Sequence, residues 1–308
     1  MTKIATREAY GRALVELGRQ YEQVVVLDAD LSKSTMTAYF AKEFPTRFFN
    51  MGIAEQSLMG TAAGLALSGK IPFASTFAVF ATGRAFDQVR NGIAYPRVNV
   101  KIAATHAGLT VGEDGASHQA IEDIALMRII PNMTVIVPAD ATEARQAVFA
   151  AAEHEGPVYL RLGRPAVPVI YGEDYQFQIG RAHILKEGKD AAVIACGVMV
   201  HEALKAAEEL AAEGIDVMIV NMSTIKPLDR EAVLKAAGTG AVVTAEEHTV
   251  TGGLGSAVAG VLATEKPVPM AMVGIRDTFG ESGKPDELMA KYGLTAKDIA
   301  AAVRRLKG

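Results

Sequence analysis

Cysteine, tryptophan and long apolar runs are scarce in this sequence of 308 residues, which has 1 Cys and no Trp. The chain therefore cannot form a disulfide scaffold or a paired-cysteine zinc site, and we expect Cys196 to be a buried structural thiol. No apolar run reaches the roughly 18 residues of a membrane span, and the first residues lack a signal-peptide core. These absences predict a globular cytoplasmic protein that does not bind membranes.

The charge balance is slightly acidic, because 31 Lys and Arg residues accompany 35 Asp and Glu residues. There is no basic tract of the kind that binds nucleic acid, so no nucleic-acid partner is expected. Apolar residues make up 50% of the chain, which excludes disorder and provides enough material for a large core.

Short β-branched runs alternate with segments of helical periodicity, a pattern typical of an α/β protein with a buried parallel sheet. A first helix is predicted from Arg7 to Arg19, and Thr295 with Asp298 predicts a capping box before the last helix. The predicted strands lie at residues 24–28, 71–75, 98–104, 134–137, 158–161, 191–195, 217–221, 241–245 and 270–274.

Proline, glycine and charged residues concentrate between residues 165 and 190, where helical periodicity is lost. Such a composition is typical of a boundary between domains. We therefore predict a first domain over residues 1–170, a linker over 171–188 and a smaller second domain over 189–308.

A glycine-rich loop over residues 103–123 carries His106 and His118 on either side of Glu113 and Asp114. Because it follows a predicted strand, it should reach the carboxyl edge of the sheet, where ligands bind in open parallel sheets. Imidazoles and carboxylates at that edge suit hydroxyl binding and proton transfer near neutral pH. A solvated turn explains the same residues equally well.

Three other features have both a structural and a functional interpretation. Glu55, at the start of a predicted helix, is either a cap favoured by the helix dipole or a desolvated acid that exchanges protons with a bound base. Phe77 and Phe80 are expected on one helical face, as core packing or as a clamp on a flat heterocycle. Arg161 and Arg164 suit either phosphate binding or surface ion pairs.

Taken together, these segments resemble the carboxyl-terminal half of transketolase over nearly the whole chain. The matching motifs, in order, are ATRE, DADLSKS, GIAEQ, STFAVFA, THAGLTVGEDGASHQ, LGRP, EEHTVTGGLG and DTFGESGKPDEL. The resemblance implies a pyrimidine-binding, parallel-sheet domain followed by the smaller transketolase C-terminal α/β domain. It also implies thiamine diphosphate as the cofactor.

The resemblance further implies the residues of a site. Glu55 would bond N1′ of the aminopyrimidine as the activating proton relay, with Phe77 and Phe80 stacked around the ring and Asp30 near the thiazolium. The resemblance assigns His106, Asp114 and His118 to the binding of substrate hydroxyls and to proton transfers. It assigns Arg7, Ser34 and Arg164 to binding of the sugar phosphate. For this role it favours Arg164 over Arg161.

The resemblance covers only half of a transketolase, since no cassette for magnesium and diphosphate is present in this sequence. We therefore expect the carboxyl-terminal subunit of a split transketolase of the pentose phosphate pathway. It would transfer a two-carbon ketol unit from a ketose phosphate to an aldose phosphate. Activity would require an N-terminal partner subunit that binds Mg²⁺ or Ca²⁺, in a heterotetramer with two copies of each chain.

Other members of the same fold remain alternatives. The corresponding half of 1-deoxyxylulose-5-phosphate synthase shares the glutamate and the sugar-phosphate chemistry, although the loop from His106 to His118 favours transketolase. The beta subunit of a 2-oxoacid dehydrogenase is a weaker alternative, because it serves a lipoyl arm and does not need Arg164. A non-catalytic partner chain is a further alternative, against which Glu55 argues, since a buried carboxylate without a task is a liability.

Overall fold

Strands and helices alternate along most of the chain in a computed structural model, which describes residues 2–308. The strands are β1 Lys3–Ala5, β2 Val24–Asp28, β3 Phe48–Asn50, β4 Ile71–Phe77, β5 Lys101–Thr105, β6 Thr134–Ile136, β7 Val158–Arg161, β8 Ala166–Pro168, β9 His183–Lys186, β10 Ala191–Ala195, β11 Val217–Asn221, β12 Thr224–Lys226, β13 Val242–Thr249 and β14 Met270–Ile275. The helices are α1 Thr6–Gln20, α2 Ser32–Thr35, α3 Ala38–Glu43, α4 Glu55–Leu67, α5 Asp123–Ile129, α6 Ala141–Glu153, α7 Met199–Ala211, α8 Arg230–Ala237, α9 Leu254–Glu265, α10 Pro285–Lys291 and α11 Ala296–Lys307. Short 3₁₀ or π-type helical segments cover Pro45–Arg47, Phe80–Arg84, Gln88–Ala94 and Leu109–Asp114.

The first sheet has seven strands in the order β12-β6-β7-β5-β4-β2-β3, and all neighbours are parallel except β12 and β6. Its central strands are buried on both faces, with α1 and α6 packed on one side and α4 on the other. This arrangement confirms the predicted parallel-sheet α/β fold, in which near-continuous apolar strands follow from burial of both faces.

The second sheet has five strands in the order β14-β13-β10-β11-β9, parallel except for the edge strand β9. Helices α7 and α11 cover one face, and α8 and α9 cover the other. Strand β12 comes from this later part of the sequence but extends the first sheet through β6. One apolar core therefore runs from α4 through β12 to α8 and α9, which joins the two sheets.

Several local predictions are confirmed, whereas several of the predicted boundaries differ from those of the structure. The capping box forms between Thr295 and Asp298, and Cys196 is buried. Strand β5 begins at Lys101, later than predicted, and β13 continues to Thr249, which places the EEHT motif on a strand. Within residues 2–308, no helix is both long enough and apolar enough to cross a bilayer.

Candidate functional site

The site lies at the carboxyl edge of the first sheet, where neighbouring parallel strands end side by side. Asp28 at the end of β2 pairs in register with Ser75 of β4, and Phe77 at the end of β4 pairs with Thr105 of β5. The segments that follow these strands carry the polar residues singled out from the sequence. Their meeting at one edge is the geometry expected for a ligand site in an open parallel sheet.

His106 follows β5 directly and is held by three neighbours. Its Nδ1 lies 2.9 Å from the Thr105 hydroxyl, its Nε2 lies 3.4 Å from Nη1 of Arg7, and its ring stacks on Phe77 with centroids 3.8 Å apart. Its backbone adopts φ of +56°, an uncommon conformation for a residue other than glycine.

The ring of His106 is neutral at physiological pH. Burial, together with the nearby positive charges of Arg7 and Arg164, lowers the pKa of His106 to about 3. The sequence-based expectation of an imidazole that titrates near neutral pH is therefore wrong for His106. It can orient a hydroxyl as a neutral donor or acceptor.

The rings of Phe77 and Phe80 form an aromatic wall beside the histidines. Their centroids lie 5.8 Å apart with an interplanar angle of 14°, and His118 meets Phe80 edge-on at 5.5 Å. The expectation that both phenylalanines share one helical face is wrong, because Phe77 ends β4 whereas Phe80 begins a π-type segment. The stacking arises from the bend of the chain between them.

Glu55 is the first residue of α4, and its side chain is only 2% exposed. Its Oε1 accepts a hydrogen bond of 2.8 Å from Arg84, whose guanidinium also lies 4.4 Å from the centre of the Phe80 ring. The carboxylate is thus buried next to the aromatic wall. Sequence reasoning missed Arg84, and only its position shortly after the STFAVFA motif could have drawn attention to it.

Two arginines lie near His106 and near each other. Arg7 donates to the Ser34 carbonyl at 2.7 Å, and its buried Nε has no hydrogen-bond partner among residues 2–308. Burial and repulsion from Arg164 lower the pKa of Arg7. Arg164 donates to the carbonyl of Val111 and lies 3.5 Å from the carboxylate of Asp114. Two guanidiniums with an unused donor are suited to an anionic ligand.

Asp30 and Arg161 lie at different depths around the site. Asp30 is exposed at the rim with φ of +62°, and its carboxylate accepts a hydrogen bond of 2.9 Å from Asn50. Arg161 is buried and paired with Asp123 at 2.7 Å. The interpretation of Arg161 as a surface ion-pair partner is therefore wrong, since the end of β7 is covered by β13.

These side chains suit an organic cofactor with a flat, basic ring. Glu55 offers a buried carboxylate, of which Oε2 accepts no hydrogen bond from residues 2–308, and Phe77 and Phe80 offer apolar faces nearby. Over the same residues, no cluster of three or more His, Cys, Asp or Glu side chains is arranged to hold a metal ion.

Comparisons with known proteins show what this chain is similar to. The family model "Transketolase, pyrimidine binding domain" matches residues 2–169, and "Transketolase, C-terminal domain" matches residues 180–299. A protein of Methanocaldococcus jannaschii named as a transketolase C-terminal section is 54% identical over 96% of this chain and 94% of its own length. A 6-deoxy-6-sulfo-D-fructose transketolase subunit of Clostridium sp. (strain MSTE9) is 45% identical over 97% of this chain and 94% of its own.

A solved structure described as "Split gene transketolase, inactive beta4 tetramer" is 63% identical to this chain. It superposes with a TM-score of 0.93 over 99% of this chain and 98% of that chain.

Proposed function

Since the chain belongs to the transketolase family, we propose that it is the carboxyl-terminal subunit of a split, two-chain transketolase. It would transfer a two-carbon ketol unit from a ketose phosphate to an aldose phosphate, and only in complex with an N-terminal subunit. The observation that carries this proposal is the buried carboxylate of Glu55 beside the stacked rings of Phe77 and Phe80.

In this proposal, Glu55 acts on the cofactor of the family, thiamine diphosphate. When bound, that cofactor supplies a nucleophilic carbon that takes the two-carbon fragment from a ketose and passes it to an aldose. Glu55 would hold a proton at the pyrimidine N1′ through its carboxylate, and Asp30 would lie at the rim near the thiazolium. Phe77 and Phe80 would cover the ring and exclude water.

The substrate would lie against the histidines and arginines of the same edge. His106, as a neutral imidazole, would orient hydroxyls, and His118 and Asp114 would bind them and move protons. Arg7, with its unused buried Nε, would bind the sugar phosphate together with Arg164 and Ser34.

The partner would provide what this chain does not carry. We propose that an N-terminal subunit binds the diphosphate through Mg²⁺ or Ca²⁺, in a heterotetramer with two copies of each chain. Support comes from the relatives named as a C-terminal section and as a split gene product. We further propose the division into residues 1–170, 171–188 and 189–308, a cytoplasmic location and a place in the pentose phosphate pathway.

Reconstitution tests the proposal. The chain is purified alone and together with the subunit encoded by the neighbouring gene, and both samples receive thiamine diphosphate, Mg²⁺, xylulose 5-phosphate and ribose 5-phosphate. We expect ketol transfer by the complex and none by the single chain. Equal rates in both samples would contradict the split arrangement. A further sample of the complex receives pyruvate and glyceraldehyde phosphate in place of the two pentose phosphates. Release of carbon dioxide from it, without ketol transfer between the pentose phosphates, would identify a deoxyxylulose-phosphate synthase instead.

A further inference from the structure

The segment from His106 to Gln119, here called the histidine loop, is covered by residues that lie far away in the sequence. Its amide at Thr110 donates a hydrogen bond of 2.5 Å to Oε1 of Glu247, which lies on β13 and is 3% exposed. We propose that Glu247 is a positioning residue, which fixes the histidine loop so that it can bind substrate. This inference rests on the proposed function, which assigns substrate binding to that loop.

The fit between Glu247 and the loop backbone is close. Gly108 has φ of +84°, and a Cβ atom at this position would lie 2.2 Å from Cδ of Glu247. Only glycine tolerates both the backbone conformation and the approach of the carboxylate. The loop and the second sheet are thus matched at this point by a glycine on one side and a carboxylate on the other.

A second contact from the later part of the chain supports the same loop. The buried amide of Gln119 donates to the carbonyl of Glu281 at 2.9 Å, and also to the carbonyls of Leu109 and Gly112 within the loop. A Cβ atom on Gly280 would lie 1.9 Å from Oε1 of Gln119. The DTFGESG motif therefore packs directly against the loop, as the EEHT motif does.

Arg161 links the end of the histidine loop to strand β13. The buried guanidinium of Arg161 donates to the backbone carbonyls of Ala120 at 3.2 Å and Glu247 at 3.0 Å, while Asp123 neutralises its charge. One side chain thus joins the end of the loop to the strand that carries Glu247. A buried network in which each of these hydrogen-bond donors has a partner favours one fixed geometry.

The position of the histidine loop determines where the proposed substrate-binding residues lie. It begins at His106 and carries Asp114 and His118, and the carbonyl of Val111 within it accepts a hydrogen bond from Arg164. Loss of the Glu247 carboxylate would free the Thr110 amide and loosen the segment between the two histidines. Substrate binding should therefore suffer, although Glu247 touches no substrate.

Glu246 provides a matched control on the same strand. It is as deeply buried as Glu247, but it accepts its hydrogen bonds from the amides of Leu254 and Gly255 at the start of α9, at 2.7 and 2.8 Å. Burial raises the pKa of both carboxyl groups to about 7. Replacement of either residue should destabilise the fold similarly, whereas only Glu247 contacts the loop.

Steady-state kinetics of the reconstituted complex test the proposal. We expect Glu247→Ala to raise KM for ribose 5-phosphate about tenfold, and Glu247→Gln, which keeps an acceptor oxygen, to stay within about threefold of wild type. Glu246→Ala should leave KM within about twofold. If Glu247→Ala does not fold, Glu247→Asp replaces it, since it withdraws the oxygen but keeps the charge. Equal KM values for the Ala variants at 246 and 247 would overturn the proposal.

A second measurement on the full chain does not depend on activity. Glutamyl endopeptidase cleaves after exposed glutamates, and Glu113 in the loop and Glu173 outside it are both exposed. We expect Glu247→Ala to accelerate cleavage after Glu113 about tenfold without accelerating cleavage after Glu173. Equal acceleration at both sites, or none at Glu113, would refute positioning. A wild-type complex without ketol transfer would instead refute the proposed function, and the cleavage result would still decide the role of Glu247.

Discussion

The guanidinium of Arg84 donates a hydrogen bond of 2.8 Å to the carboxylate of Glu55, and the two residues differ sharply in exposure. The Glu55 side chain is 2% exposed, whereas that of Arg84 is 50% exposed. The pair therefore compensates a buried negative charge with a cation that still contacts water. Arg84 also lies over the ring of Phe80, with its guanidinium carbon 4.4 Å from the ring centre.

Removal of this cation should destabilise the chain, because the carboxylate of Glu55 loses its charge partner. Since Arg84 is half exposed, we expect Arg84→Ala to lower the free energy of unfolding by about 1–2 kcal/mol, less than for a fully buried pair. Urea denaturation measures this change. Arg12→Ala, which breaks the exposed pair with Glu8, is the control and should cost less than about 0.5 kcal/mol. Equal effects would show that Glu55 does not need its partner.

Local sequence signals predicted much of this fold. The capping box from Thr295 to Asp298 needs only neighbouring residues, and so does the placement of Glu55 at the start of α4. Such patterns depend on helix periodicity and on hydrogen bonds within one turn. The pair of Glu55 with Arg84 joins residues 29 positions apart through a π-type segment, and no local pattern predicts that geometry.

The sequence pattern also did not predict the contacts between the two sheets. Strand β12 joins the first sheet from the later part of the chain, and the bond from Thr110 to Glu247 spans 137 positions. Amino-acid composition indicates where one domain ends and the next begins, but it does not indicate which surfaces of the two domains contact each other. The resemblance of the EEHT motif to a family indicated that these residues matter, and their contacts supply a physical reason.

Arg164 should affect binding of phosphorylated sugars more than turnover. Its guanidinium faces the site beside Arg7, and its hydrogen bonds are to a loop carbonyl and to partly exposed carboxylates. We expect Arg164→Ala to raise KM for xylulose 5-phosphate about tenfold or more, with kcat changed less than about threefold.

Steady-state kinetics of the reconstituted complex measure this split between KM and kcat. Arg145→Ala, on the exposed side of α6, is the control and should leave both constants unchanged. A fall in kcat at constant KM would contradict a role for Arg164 in phosphate binding.

Glu246 should make stability depend on pH. Burial raises the pKa of Glu246 from 4.5 to about 7, so the folded chain retains a proton that the unfolded chain has lost. Stability from this proton is fully present below about pH 4.5 and is lost as the pH rises through about 7. The Glu246→Gln variant carries no such charge.

The free energy of unfolding of Glu246→Gln should therefore rise relative to that of wild type by about 1–3 kcal/mol between about pH 5 and about pH 8. Urea denaturation of both proteins at the two pH values measures the difference. If the difference in free energy of unfolding between Glu246→Gln and wild type does not change with pH, the raised pKa of Glu246 is refuted.

The most direct test concerns the carboxylate of Glu55 in the reconstituted complex. If it holds the proton at the cofactor ring, Glu55→Gln should lower kcat for ketol transfer by about a hundredfold or more. Glu143→Gln alters another buried carboxylate, hydrogen-bonded by Tyr175 and Asn221 away from the site, and should stay within about threefold of wild type. A Glu55→Gln complex that turns over at the wild-type rate would contradict the account.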